Sequence, residues 1–262
     1  MPSNGKSGHD TATVQRLLDS AAHEFARHGY AATRVRDIVD AAGVNLAAVN
    51  YHFGGKEGLY RATLAMLATR ARDAVPTDSP EMRLLPPEEQ LREFARSTLL
   101  RYLGQGQASA GSRIMAHELL DPTPAFETTM RTASRPQWER LVEIVSALIG
   151  PAASREDVEL ASLSIAGQWA FFLFGRRLFE FQFPELARKA SLVDRLADHI
   201  AAFSIAGIRT RRRDLEAQAL SLELPAGPRA AATGMAAPFV GGREADGPDA
   251  ERLVAPTGAV SQ

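Results

Sequence analysis

The chain has 262 residues, 30 Lys+Arg against 31 Asp+Glu, a net charge of −1 and 45% hydrophobic residues. That is enough chain for one large domain or two smaller ones with an ordinary core, and its balanced charge excludes a global electrostatic grip on nucleic acid. With no cysteine, disulfides, thiolate metal sites and a cysteine nucleophile are excluded too, which fits a cytoplasmic location. Residues 1–8 contain no apolar run of export-signal length, and the greasiest segment, 163–175, is shorter than the roughly 20 residues that span a bilayer. Neither export nor a membrane span is expected.

Apolar residues recur at spacings of three and four from Val14 to Ile208, with no sustained alternation, so the chain is predicted to be all-α. Residues 1–12 read as a flexible N-terminus. A first helix over 13–28 sets Val14, Leu17, Leu18, Ala21 and Phe25 on one stripe, with Gly29 placed to stop it. A short second helix follows Thr33 and turns Val35, Ile38, Val39 and Ala42 inward. Gly43 breaks it, and Asn45 is placed to cap a third helix reaching about His52. After Phe53-Gly54-Gly55 a longer helix restarts at Lys56, with Leu59, Leu64 and Leu67 as its seam. Pro76, Pro80, Pro86 and Pro87 mark residues 76–87 as a linker between a domain over 13–75 and another over 88–212. In the second domain helices are predicted at 88–105, 109–120, 124–149, 154–182 and 190–212, the third disturbed by Pro136. Residues 213–262, rich in Ala, Gly and Pro toward the end, read as a disordered tail.

Residues 33–60, TRVRDIVDAAGVNLAAVNYHFGGKEGLY, have the helix, glycine turn and short helix of a helix-turn-helix. The short helix is too poor in apolar surface for a core element, yet it carries Asn45, Leu46, Ala47, Asn50, Tyr51 and His52. Small residues let a helix approach a groove closely. Asparagine can donate to and accept from an adenine edge, while Tyr and His can donate to phosphate. Lys56 opens the next helix, where its charge adds to free backbone amides. Thr33 reads first as a helix cap and second as a DNA contact. Residues 1–75 carry nine basic and seven acidic side chains, so DNA affinity must come from placed groups such as Arg34 and Arg36.

Ala41-Ala42-Gly43-Val44, the Asn-capped helix, Tyr51-His52-Phe53 and Lys56-Glu57-x-Leu59 resemble the DNA-binding domain of TetR-type transcriptional regulators, over about residues 14–67. Asn45 stands where that family usually has Ser or Thr, and Asn50 where it has Tyr, so Tyr51 is expected to take over a phosphate contact. Residues 113–126, RIMAHELLDPTPAF, are similar to the CecR-like branch. The resemblance implies a homodimer on double-stranded DNA with a palindromic operator. It also implies an unidentified small-molecule effector in the C-terminal domain, repression as the more common outcome, and no cofactor, catalytic residue or metal.

Within the second domain the pocket candidates are Met115, His117, Trp138, Trp169, Phe172 and Arg176. The candidates for a dimer interface are Phe171, Phe174, Leu178, Leu192, Leu196, Ile200 and Phe203. The aromatic run from Trp169 to Phe183 holds more rings than one stripe needs, so core alone, core plus interface, and a pocket wall all remain open. Two alternatives compete with the effector-responsive regulator. One is a helical-bundle enzyme or metal protein using His117, Glu118 and Asp121, although a zincin helix would carry His in place of Asp121. The other is a DNA-binding regulator without an effector.

Overall fold

The computed structural model describes residues 4–104 and 107–223; the expected disorder after Leu224 and the break at Gly106 lie outside the described residues. Among the described residues every regular element is a helix. In the first part these are α1 (Asn4–Ala32), α2 (Val35–Ala42), α3 (Leu46–Phe53) and α4 (Lys56–Ala74). Then come α5 (Pro80–Arg83), α6 (Pro87–Leu103), α7 (Gln107–Leu120) and α8 (Phe126–Thr129). The series ends with α9 (Arg135–Ile149), α10 (Arg155–Phe174), α11 (Arg176–Gln182), α12 (Pro184–Ala187) and α13 (Leu192–Glu223).

Apolar burial forms two clusters. One joins Leu17, Ala21 and Phe25 of α1, Ile38 and Val39 of α2, Val49 of α3, and Leu59, Tyr60, Leu64 and Leu67 of α4. It also draws in Ala110 and Ile114 of α7, so the first four helices do not close their core alone. The other is built from α6, α9, α10, α11 and α13, with Phe94 and Trp169 5.6 Å apart at its centre. The segment between α4 and α6, predicted as plain linker, contains α5, whose Ser79 side chain accepts from the Met82 amide. Buried Arg140 of α9 lies 3.1 Å from Asp78 and tethers that segment.

Several predicted boundaries move. Helix α1 begins at Asn4, not near 13, and runs on to Ala32 across a break at Gly29, whose φ is 74°. The run expected at 124–149 is α8, a π turn at Met130–Ser134 and α9. Pro136 has no N–H for the Thr132 carbonyl and its ring crowds that carbonyl, so the wider turn absorbs the misfit. The run expected at 154–182 breaks at Gly175, and α10 and α11 meet at 82°. Helix α13 continues past 212 to Glu223, so residues 213–223 do not belong to an unstructured tail. Their sequence, RDLEAQALSLE, is made of good helix formers, Leu215 is buried, and Arg212 pairs with Glu216 one turn on.

Candidate DNA-reading surface and effector pocket

Helix α2 ends where Gly43 takes the left-handed conformation, φ 62° and ψ 43°, and its amide bonds back to the Asp40 and Val39 carbonyls. A side chain there would meet the usual steric penalty, which glycine avoids. Asn45, extended, then accepts from the Ala47 amide at 2.9 Å and starts α3. Val49 is buried against the core while Leu46, Ala47, Asn50 and Tyr51 are exposed, Tyr51 at 78%. Those four positions share one face of the helix, with spacings of one, four and five residues. Arg34 and Arg36 stand at the start of α2, and Arg16 on α1; all three are exposed and make no ion pair among the described residues.

Three of the sequence candidates sit differently. Thr33 is only 3% exposed, and its hydroxyl donates to the Gly29 carbonyl at 2.7 Å and to that of Glu24 at 3.2 Å. It locks the turn between α1 and α2 and neither caps α2 nor reaches the surface. The His52 side chain is 13% exposed, with Nε2 3.3 Å from Asp10 Oδ1, so it faces α1. Lys56 places its ammonium 4.5 Å over the Tyr30 ring and donates to the Ala31 carbonyl at 3.3 Å, and burial lowers its pKa. Beneath it Phe25, Tyr30 and Tyr60 form a ring cluster with centroid separations of 4.7, 4.8 and 6.2 Å.

Helix α4 connects this surface to the rest of the chain. Tyr60 donates to Glu118 Oε1 of α7 at 2.6 Å, and Glu118 is fully buried. The next residue back, His117, lies against Gly29. These residues tie α7 to α1 and α4, and no group of three or more His, Cys, Asp or Glu able to hold a metal occurs among the described residues. His117, Glu118 and Asp121 line one cavity of about 260 Å³ beside Gly29, where Glu118 is engaged by Tyr60 and by the Thr123 amide. Sequence reasoning misses the Tyr60–Glu118 bond, because nothing in the spacing of either residue announces a partner 58 residues away.

A pocket of about 300 Å³ opens between α6, α7, α9 and α10, with Met115, Trp138 and Trp169 among its walls, as expected of them. The other three candidates are elsewhere. Phe172 packs into the core against Phe179, His117 lines a separate cavity beside Gly29, and Arg176 bonds Glu180 and the Leu103 carbonyl. Of the interface candidates, Phe171, Phe174, Leu178 and Phe203 are exposed. Ile200 is 3% exposed and belongs to the core, with Leu192 and Leu196 packed against it. Period alone does not separate the two faces of α13, because both carry apolar residues. Among the described residues no single helix is long and apolar enough to cross a membrane.

A glycine-turned helix pair with a solvent-facing second helix, joined to a helical body with an apolar pocket, defines a helix-turn-helix DNA-binding regulator. Residues 17–63 match the family model of bacterial regulatory proteins of the tetR family. Residues 87–208 match that of the C-terminal domain of the HTH-type transcriptional dual regulator CecR. The chain belongs to the TetR family of transcriptional regulators, whose members are not enzymes. It is 26% identical over 170 residues to the dual regulator CecR of Shigella flexneri, covering 62% of this chain and 76% of that protein. Its fold is shared with the TetR family regulator PfmR of Thermus thermophilus, at a TM-score of 0.54 and 21% identity, covering 73% and 97% of the two chains. It is shared as well with a transcriptional regulator of Saccharomonospora viridis solved in complex with choline, at a TM-score of 0.54 and 16% identity, covering 74% and 95%.

Proposed function

We propose that the chain is a cytoplasmic repressor that works as a homodimer, reads a palindromic operator with two copies of α3, and releases it when a small molecule fills the pocket between α6, α7, α9 and α10. The observation that carries this reading is the exposed face of Leu46, Ala47, Asn50 and Tyr51, held from behind by Val49, with Arg34 and Arg36 exposed at the start of α2 and without an ion pair among the described residues. Asn50 is the side chain suited to a base edge, and the two arginines and Tyr51 to phosphates. The dimer surface is the outer side of α10 and α13, where Leu160 and Phe203 are exposed beside the small residues Ser164 and Gly207, and Phe171 is exposed further along α10. Two reading helices must sit about 34–36 Å apart to enter successive turns of the groove, which a two-fold pair of such chains can provide.

On this reading the head comprises residues 13–75 and the regulatory body 88–212, extended by the rest of α13. A ligand that prefers one packing of α4 against α6 and α7 shifts operator affinity by its differential affinity for the two packings. The test begins with selection of bound fragments from genomic DNA, including the region upstream of the chain's own gene. Inverted repeats are expected. On the selected site, Arg34→Ala with Arg36→Ala is expected to weaken binding to all sequences and to flatten the log–log salt slope by about 1 for each phosphate no longer neutralised. Recovery of no inverted repeat, or an unchanged slope in the double variant, overturns the assignment.

A further inference from the structure

The pocket between α6, α7, α9 and α10 is walled by apolar and neutral polar side chains, with no carboxylate among its described lining residues. Across a shared wall of Tyr102, Met115, Ser134 and Gln137 it adjoins a second pocket of about 120 Å³ against α4, which also lacks a carboxylate but is lined by Arg72 and Arg101. Arg101 is 5% exposed, an unusual position for a guanidinium without an acid. Its Nε and Nη2 donate to the Val75 carbonyl at 2.9 and 2.6 Å, and neither arginine makes an ion pair among the described residues. Burial, and the like charge of Arg72, both pull the Arg101 pKa down.

Capping alone explains part of this. The Val75 carbonyl ends α4, and a cation is favoured at the partial negative charge of a helix C-terminus. The same end charge accounts for Arg72 in the last turn of α4, but it gives no reason for Arg101, from another helix, to be 5% exposed beside an apolar hollow with no carboxylate among its described lining residues.

Resting on the effector reading above, we propose that the effector is a carboxylate with an apolar body, the body in the larger pocket and the carboxylate on Arg101 and Arg72. A carboxylate there competes with the Val75 carbonyl for the Arg101 guanidinium. That exchange acts on the end of α4, the helix whose start lies beside the reading surface.

Both tryptophans of the chain line the larger pocket, so intrinsic fluorescence reports binding. The probes are decanoate and decanamide, which share a chain and differ in charge. Decanoate is expected to bind the full chain about tenfold tighter or better, as a charge-assisted pair requires. Arg101→Gln is expected to remove the preference by weakening decanoate alone, and Arg101→Lys to keep part of it. Arg72 is exposed, so Arg72→Gln folds whatever Arg101→Gln does, and it is expected to cut the preference several-fold. Equal binding of the two probes, or a preference that survives Arg72→Gln and Arg101→Gln, overturns the carboxylate while leaving an effector pocket in place. No fluorescence response to either probe overturns the pocket itself as an effector site.

Discussion

Helix α3 is eight residues long and buries one side chain, Val49, whereas the pocket is walled by α6, α7, α9 and α10, whose inner faces run for several turns. Little of the recognition helix's placement comes from its own burial. Its start is set by the Asn45 cap and its end by a left-handed Gly54, and its back leans on α4. The body holds its shape by bulk. Leu91, Leu99, Ile144, Ile149 and Ile165 are all fully buried there, and its hollow persists between long helices. A surface fixed by close backbone contacts is sensitive to single atoms, and one fixed by summed apolar area is tolerant. The two regions should therefore respond to substitution on different scales.

The largest effect is expected at Gly58. A Cβ at this position would lie 1.8 Å from the Phe53 carbonyl oxygen, on the last residue of α3, so the start of α4 and the end of α3 touch backbone to backbone. Gly58→Ala must push α3 out of place, at a cost of about 3 kcal/mol by the scale of overpacked sites. Thermal unfolding should show a single lowered midpoint, and operator binding should fall further than the stability loss explains. A matched Gly167→Ala in α10, where a Cβ meets nothing within 4 Å, should leave both stability and monomer structure nearly unchanged. Comparable destabilisation by the two substitutions would remove the contrast.

Legibility in the sequence follows the same divide. The head is readable because its glycines, its Asn45 cap and its Lys56 sit at short, fixed intervals, so α2, α3 and α4 fall within a residue or two of their expected ends. Even there the motif gives positions and not directions: Thr33 and His52 turn inward because their polar atoms are claimed by Gly29 and Asp10. In the body, periodicity locates α6, α7 and α10 but cannot say which apolar face meets core and which meets solvent, as Ile200 and Phe203 show within one turn of α13. Arg101 gives no sign at all. Its meaning depends on a carbonyl 26 residues back, at the end of a different helix.

The joint between the regions should show an intermediate effect. Tyr60→Phe removes the donor to Glu118 and leaves a fully buried carboxyl group short of a partner, which costs roughly 2 kcal/mol. Burial, reinforced by the bond to Glu118, holds the Tyr60 pKa far above its ordinary value of 10.0. The folded chain therefore keeps a proton that the unfolded chain loses, so stability is full below about pH 10 and declines as pH rises beyond it. The variant lacks that group, so its stability should fall less steeply in alkaline urea titrations. An equal alkaline slope in the two proteins would separate Tyr60 from the joint.

The smallest effect is expected in the body, at the start of α10. Ser154 and Asp157 form a capping box, with the Ser154 hydroxyl accepting from the Asp157 amide and the Asp157 carboxylate accepting from the Ser154 amide. Arg211 of α13 donates to the same carboxylate at 2.7 and 3.0 Å. The hydrogen bond from the Ser154 hydroxyl, followed by that from Arg211, draws the Asp157 pKa from 3.8 down to about 2. A depressed carboxylate stabilises the fold above its unfolded pKa, so this contribution is present above about pH 4 and is lost as pH falls through 2. Ser154→Ala should cost about 1 kcal/mol at neutral pH, leave operator affinity unchanged, and raise the Asp157 pKa in carboxyl-resolved NMR titration. Since α13 also carries Phe203 of the proposed dimer surface, a shift of oligomeric state in this variant alone would show that the body transmits small local changes after all, and that its tolerance ends where α10 meets α13.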